Sequence, residues 1–74
     1  MFIILERIWI KMIQILSYNN RSAVLKILSN GKKYVYEGVS RYWYEKLYSM
    51  TNHKRYGECW KILKNMVLVS AEKI

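Results

Sequence analysis

NGKKYVYEGVSRYWYEKL, residues 30–47, decides the fold. Asn30-Gly31 is the strongest short hairpin signal in a sequence, because both central residues of a type I′ turn need positive φ. KKYVYEGV follows it with apolar and polar residues alternating, the period of a strand with one face buried. Ser40 then stands where a helix N-cap belongs, and Trp43, Leu47 and Met50 recur at i, i+4 and i+7. A turn, a strand, a cap and a helix are therefore written in one continuous stretch.

Working outward, MIQILSY (residues 12–18) reads as a strand, Asn19, Asn20 and Arg21 as a polar turn, and SAVLKILS (residues 22–29) as the strand that pairs across Asn30-Gly31. These make an antiparallel meander over residues 12–39. After a polar break at Thr51, Asn52 and His53, a second helical period puts Tyr56, Cys59, Trp60 and Leu63 on one side and Lys54, Lys61 and Lys64 on the other. Helices thus occupy residues 40–65. MVLVSAEKI, residues 66–74, is β-branched and apolar and could return as a last strand. The expectation is an α+β domain: a three-stranded antiparallel β-meander followed by two short helices, with an available C-terminal strand.

The chain has 74 residues, so it holds one domain with one small core. Hydrophobic residues at 53% and aromatics at 15% exclude a disordered tail and let large side chains compensate for few core positions. Thirteen Lys and Arg against five Glu give a formal +8, which favours polyanionic partners. A single cysteine, Cys59, excludes an internal disulfide and every CxxC pattern, and suits a reducing cytoplasm. Ile, Lys, Asn and Tyr fill 30 positions while Gly, Ala and Pro fill five, the bias of AT-rich coding DNA in a low-GC bacterium or its phage.

MFIILERIWIK, residues 1–11, precedes the meander and reads as an N-terminal extension or as the product of an upstream start choice. Glu6, Arg7 and Lys11 interrupt it, and its apolar run is shorter than the roughly 20 residues of a spanning helix, so neither a membrane span nor a signal peptide is expected. On a helical wheel Arg7, Lys11 and Gln14 form one narrow stripe, leaving a wide apolar face for the domain itself, a homodimer contact or a membrane surface; its isoleucines suit a strand instead.

SYNN, the Asn-Gly turn, Y-x-Y-x-G-V, a cap, WYEKL and a later K-R-Y together resemble the KTSC family, small domains found at the C-terminus of some lysyl-tRNA synthetases and alone in bacteria and phages. The resemblance covers residues 13–64 and is carried best by Gly31, Tyr34, Tyr36, Gly38, Val39, Tyr44 and Leu47. This chain has Ser40 where the family usually has Pro, and Lys54 to Glu58 where it has Gly-x-Tyr-Phe-Asn. The resemblance implies this fold, no established catalytic activity and a conjectural association with nucleic acid.

Nucleophilic catalysis needs a base beside Cys59 or a serine, and His53, the one histidine, lies six positions from Cys59 in a different turn phase. One His, one Cys and scattered Glu supply no metal-ligand spacing, and three isolated glycines make no phosphate-cradling loop. No enzyme activity and no cofactor are expected. Tyr34 and Tyr36 share one face of their strand and are either core or a stacking platform; core is the expectation, since that face meets the helices. Trp43 is expected to face inward and Tyr42 outward beside Arg41. The candidate contacts are Lys32, Lys33, Arg41, Tyr42, Lys54, Arg55, Lys61 and Lys64, with Lys54, Lys61 and Lys64 forming a stripe that Arg55 and the hairpin lysines could extend if the hairpin lies on the same side. The expected function is a cytoplasmic, non-catalytic basic module that docks on nucleic acid or a nucleotide-bearing complex. The alternative is a phage-borne inhibitor of bacterial immunity that binds a host protein, as an anti-CRISPR-type nuclease blocker or a nucleotide-signal sponge.

Overall fold

The computed structural model describes residues 12–74. The readings of residues 1–11, as an extension, a strand or helix and a dimer contact, lie outside them. Four strands and two helices follow in the order β1 (Ile15–Asn19), β2 (Val24–Ser29), β3 (Lys32–Glu37), α1 (Arg41–Asn52), α2 (Tyr56–Leu63) and β4 (Val67–Lys73). All strand pairs are antiparallel, and the sheet order is β1-β2-β3-β4. The C-terminal tail does return, as an edge strand beside β3.

Local chemistry accounts for each junction. Asn30 and Gly31 both take positive φ, 53° and 76°, so the β2–β3 turn has the backbone that an Asn-Gly pair adopts at least cost. The β1–β2 turn is longer than its polar residues suggested: Asn19 Oδ1 accepts from the backbone N–H groups of Arg21 and Ser22, and Ala23 sits at φ 56°. Strand β2 consequently begins at Val24, and Ser22 and Ala23 belong to the turn. Strand β1 begins at Ile15, although Gln14 N–H still reaches Leu28 O at 2.9 Å. Ser40 caps α1 by accepting from Trp43 N–H at 3.3 Å.

Alternation along β2 and β3 sorts the side chains onto two faces. Leu25, Ile27 and Ser29 share the helix-covered face with Tyr34 and Tyr36, whereas Lys26, Leu28, Lys33 and Val35 share the opposite face. Both tyrosines are core, 7% and 5% exposed. Leu47 from α1, Cys59 and Leu63 from α2, and Val39 close the core above them. Burial of Leu47 alone is worth about 1.5–3 kcal/mol.

Among the described residues no buried side-chain polar atom lacks a hydrogen-bond partner. Ser29, fully buried, donates to Met12 O at 2.6 Å, and the Cys59 thiol points at Leu47 O at 3.8 Å. Aromatic contacts tie the layers together: Tyr18 stacks on Tyr44 with centroids 4.6 Å apart, and Tyr34 meets Trp60 edge-on at 5.2 Å. Along β4 the register slips between Val35 and Tyr36, which face Ser70 and Leu68, so Val69 is the extra residue of a bulge.

The inward reading of Trp43 is corrected. It is 40% exposed, because the buried stripe of α1 centres on Leu47 and Trp43 falls on its flank, at the edge of the helix layer. Leu47 is buried and Met50 half-buried as the spacing predicts.

Candidate functional site

Two helices on one face of a sheet leave three surfaces for contact among the described residues: the outward side of the helix layer, the two ends of the sheet, and the sheet face that no described helix covers. The helix layer is fixed at one end by topology. Helix α1 departs where β3 finishes at Glu37, and α2 delivers the chain to Val67, which pairs with Glu37. Twelve helical residues span about 18 Å, close to the roughly 20 Å of a six-residue strand. Helix α1 is therefore long enough to run the length of β3 before the chain turns back into α2.

That placement divides the expected contact residues. Lys54 is not on α2. It lies in the turn before the helix with φ 58°, and Arg55 occupies the N-cap without a side-chain cap bond. The stripe expected from Lys54, Lys61 and Lys64 is thus reduced to Lys61 and Lys64, because helical spacing in the sequence begins two residues before the helix does. Lys54 and Arg55 instead lie in the interhelical turn, while half-buried Lys32 pairs in register with Lys73 at the hairpin end of the sheet. Lys33 is on the uncovered sheet face, opposite Leu28 and Glu72, and cannot join either helix-side group.

On α2, successive residues turn about 100°, so Lys61 stands roughly opposite the buried Cys59–Leu63 pair and Lys64 on the adjoining flank. Both are exposed. On α1, Arg41 is held by Glu45 at 3.1 Å, the one ion pair among the described residues. That exposed i, i+4 pair is worth only a few tenths of a kcal/mol, about 0.3–0.5. Tyr42 is 59% exposed; the Lys46 ammonium sits 5.3 Å from its ring centroid and the Trp43 ring meets it edge-on at 5.3 Å, with 78° between planes.

Sequence reasoning passed over Trp43 and Lys46. The signal for Lys46 was its i+4 spacing from Tyr42, which puts ammonium and ring on one side of the helix. Beside Trp43 an open groove of about 800 Å³ runs between the start of α1 and the end of α2, with Ser40, Ile62, Met66 and Val67 on its walls.

Charge is one-sided. Residues 12–74 hold eleven of the thirteen Lys and Arg and four of the five Glu, a net charge of +7. Apart from Arg41, none of those cations forms an ion pair within the described residues.

The titratable core groups are inert. Burial, and secondarily the Glu58 carboxylate, pushes the Cys59 thiol up to about 11, so it stays protonated at neutral pH. Burial, with Tyr34 beside it, likewise raises the Tyr36 phenol. His53 is exposed in the interhelical turn, and no group of three or more metal-ligating side chains exists among the described residues. No described helix is long and apolar enough to cross a membrane.

The class that fold and surface define is a small basic α+β domain, a four-stranded antiparallel sheet with helices on one face. No family model, curated protein or solved structure matches the chain.

Proposed function

We propose that this chain is a non-catalytic, KTSC-like binding module of the cytoplasm that docks on nucleic acid, or on a nucleotide-bearing complex, through the outward side of its helix layer. The observation that carries this reading is the exposure of Lys46, Lys61 and Lys64 on the helix layer, none engaged by a carboxylate among the described residues, together with the exposed rings of Tyr42 and Trp43. Free ammonium groups bind phosphates by releasing counterions, and exposed rings offer apolar contact beside them. The protonated, enclosed Cys59 and its separation from His53 support a module without covalent chemistry.

The test is binding of a labelled oligonucleotide across a salt series. Lys61→Glu with Lys64→Glu should abolish binding at moderate salt while the far-UV circular dichroism stays that of the parent. Lys33→Glu, on the uncovered sheet face, should leave it nearly unchanged. Equal losses in both variants would mean diffuse charge attraction, and no loss in the double variant would make the helix-side lysines ordinary solvated surface.

A second reading is favoured by β4. Its outer edge pairs with no strand among the described residues, and Val67, Leu68 and Val69 are all exposed, which suits a protein partner adding a strand. In this reading the module is a phage-borne inhibitor that blocks a host immunity protein. A partner captured from host lysate that persists after nuclease treatment, and is lost when Leu68→Lys is used as bait, would favour it.

A further inference from the structure

Apart from the exposed Tyr48, most other aromatic rings among the described residues are spent on packing. Tyr34 and Tyr36 are core, Trp60 packs against Tyr34, and Tyr44 lies on Tyr18. Tyr42 and Trp43 are different. They are consecutive, both substantially exposed, and set nearly perpendicular, so each ring braces the other. Ordering a pair of rings in advance lowers the entropy lost when a ligand stacks on them. The Trp43 ring also lines the groove between the helices, while Lys46 covers one face of Tyr42 from the outside.

We propose that Tyr42 and Trp43 form a stacking corner for unpaired bases, so that the module selects single-stranded nucleic acid over duplex. The inference rests on the nucleic-acid reading above and specifies its ligand. In a duplex the base faces are hidden in the stack, and two rings on the flank of a helix cannot reach them; in a single strand every base offers a face. The groove is large enough to admit a base, and its walls combine the apolar Trp43, Ile62 and Met66 with the polar Ser40 and Asn65. Glu37, also on the groove wall, keeps phosphate out. The strand's backbone is thereby directed along the cations outside the groove, Lys46 on α1 and Lys61 and Lys64 on α2, while a base turns inward onto Trp43. Arg41 is held by Glu45 and contributes less.

The experiment uses the whole chain and a fluorescein-labelled 12-nucleotide DNA of mixed sequence, alone and annealed to its complement, in anisotropy titrations at 20 mM salt. The single strand should bind at least tenfold tighter than the duplex. Tyr42→Ala and Trp43→Leu should each weaken single-strand binding, roughly five- to hundredfold, and leave the weaker duplex binding unchanged. Tyr42 is the more exposed of the two, so its variant decides the matter should Trp43→Leu lose its folded circular dichroism spectrum. Equal affinity for both forms, or a folded Tyr42→Ala with parental single-strand affinity, would overturn the stacking corner and leave the phosphate-binding surface standing. Absence of binding to either form would overturn both.

Discussion

Tyr18→Phe is the substitution that best tests how the helix layer is held over the sheet. The Tyr18 hydroxyl donates to Val39 O at 2.6 Å, and Val39 N–H donates to Ala23 O at 2.9 Å. These two bonds pin the residue immediately before the Ser40 cap, and so set where α1 begins and where Tyr42 and Trp43 emerge. Phenylalanine keeps the ring, and with it the 4.6 Å stack on Tyr44, but removes the donor. A net hydrogen bond is worth about 0.5–1.5 kcal/mol, and a carbonyl left unpaired in a partly buried site adds to the loss, so the expected cost is about 1–2 kcal/mol. For a domain of this size each kcal/mol lowers Tm by roughly 4–8 °C. Urea unfolding followed by tryptophan fluorescence should show a lower midpoint with an unchanged slope. Tyr18→Ala, which also removes the stack and its partly buried area, should cost more than Tyr18→Phe, about 2–4 kcal/mol, below the roughly 3–5 kcal/mol of fully buried aromatic-to-alanine changes. If Tyr18→Phe stays within about 0.3 kcal/mol of the parent, water replaces the hydroxyl and the proposed anchor of α1 is wrong.

Two further outcomes follow from the core and the cap. Below pH 9 the Cys59 thiol is protonated whether folded or not; its ordinary value is 9.0 and the folded value about 11, so the unfolded chain ionises first and stability falls as pH rises between the two. The raised Tyr36 phenol acts in the same direction. The Cys59 share is on the order of 2 kcal/mol at pH 11, and Cys59→Ala should make the decline from pH 8 to 11 shallower by about that amount in urea titrations. A decline equally steep in the variant would exclude the thiol as its source. Ser40→Ala should cost about 0.5–1 kcal/mol, the low end for a lost N-cap, because the bond to Trp43 N–H is long at 3.3 Å. Stability unchanged by that substitution would mean that the Val39 bonds alone fix the start of α1.

Much of this protein was legible in the residues because its signals are local. Asn30-Gly31 demands a tight hairpin, alternation along KKYVYE demands one buried face, and Ser40 before a 3.6-residue period demands a helix start; each acts over a few residues and needs no partner to be read. The meander, both helices and the core placement of Tyr34 and Tyr36 came from such signals. The turn at residues 20–23 was misjudged in length because an Asx bond from Asn19 competes with the strand. The contact surface was less legible. Lys54 kept helical spacing in the sequence, yet a left-handed residue in the interhelical turn removed it from α2. Lys32 and Lys33 are neighbours in the chain and opposites in space, since adjacent strand residues point to opposite faces; which face is covered is settled by the helices. Trp43 carries the spacing of a core residue, and its exposure depends on how far the helix layer extends beyond Leu47. Composition and local periodicity determined that a basic α+β domain would form. Packing between layers decided which cations and rings share a surface, because those residues are brought together by contacts far apart in sequence.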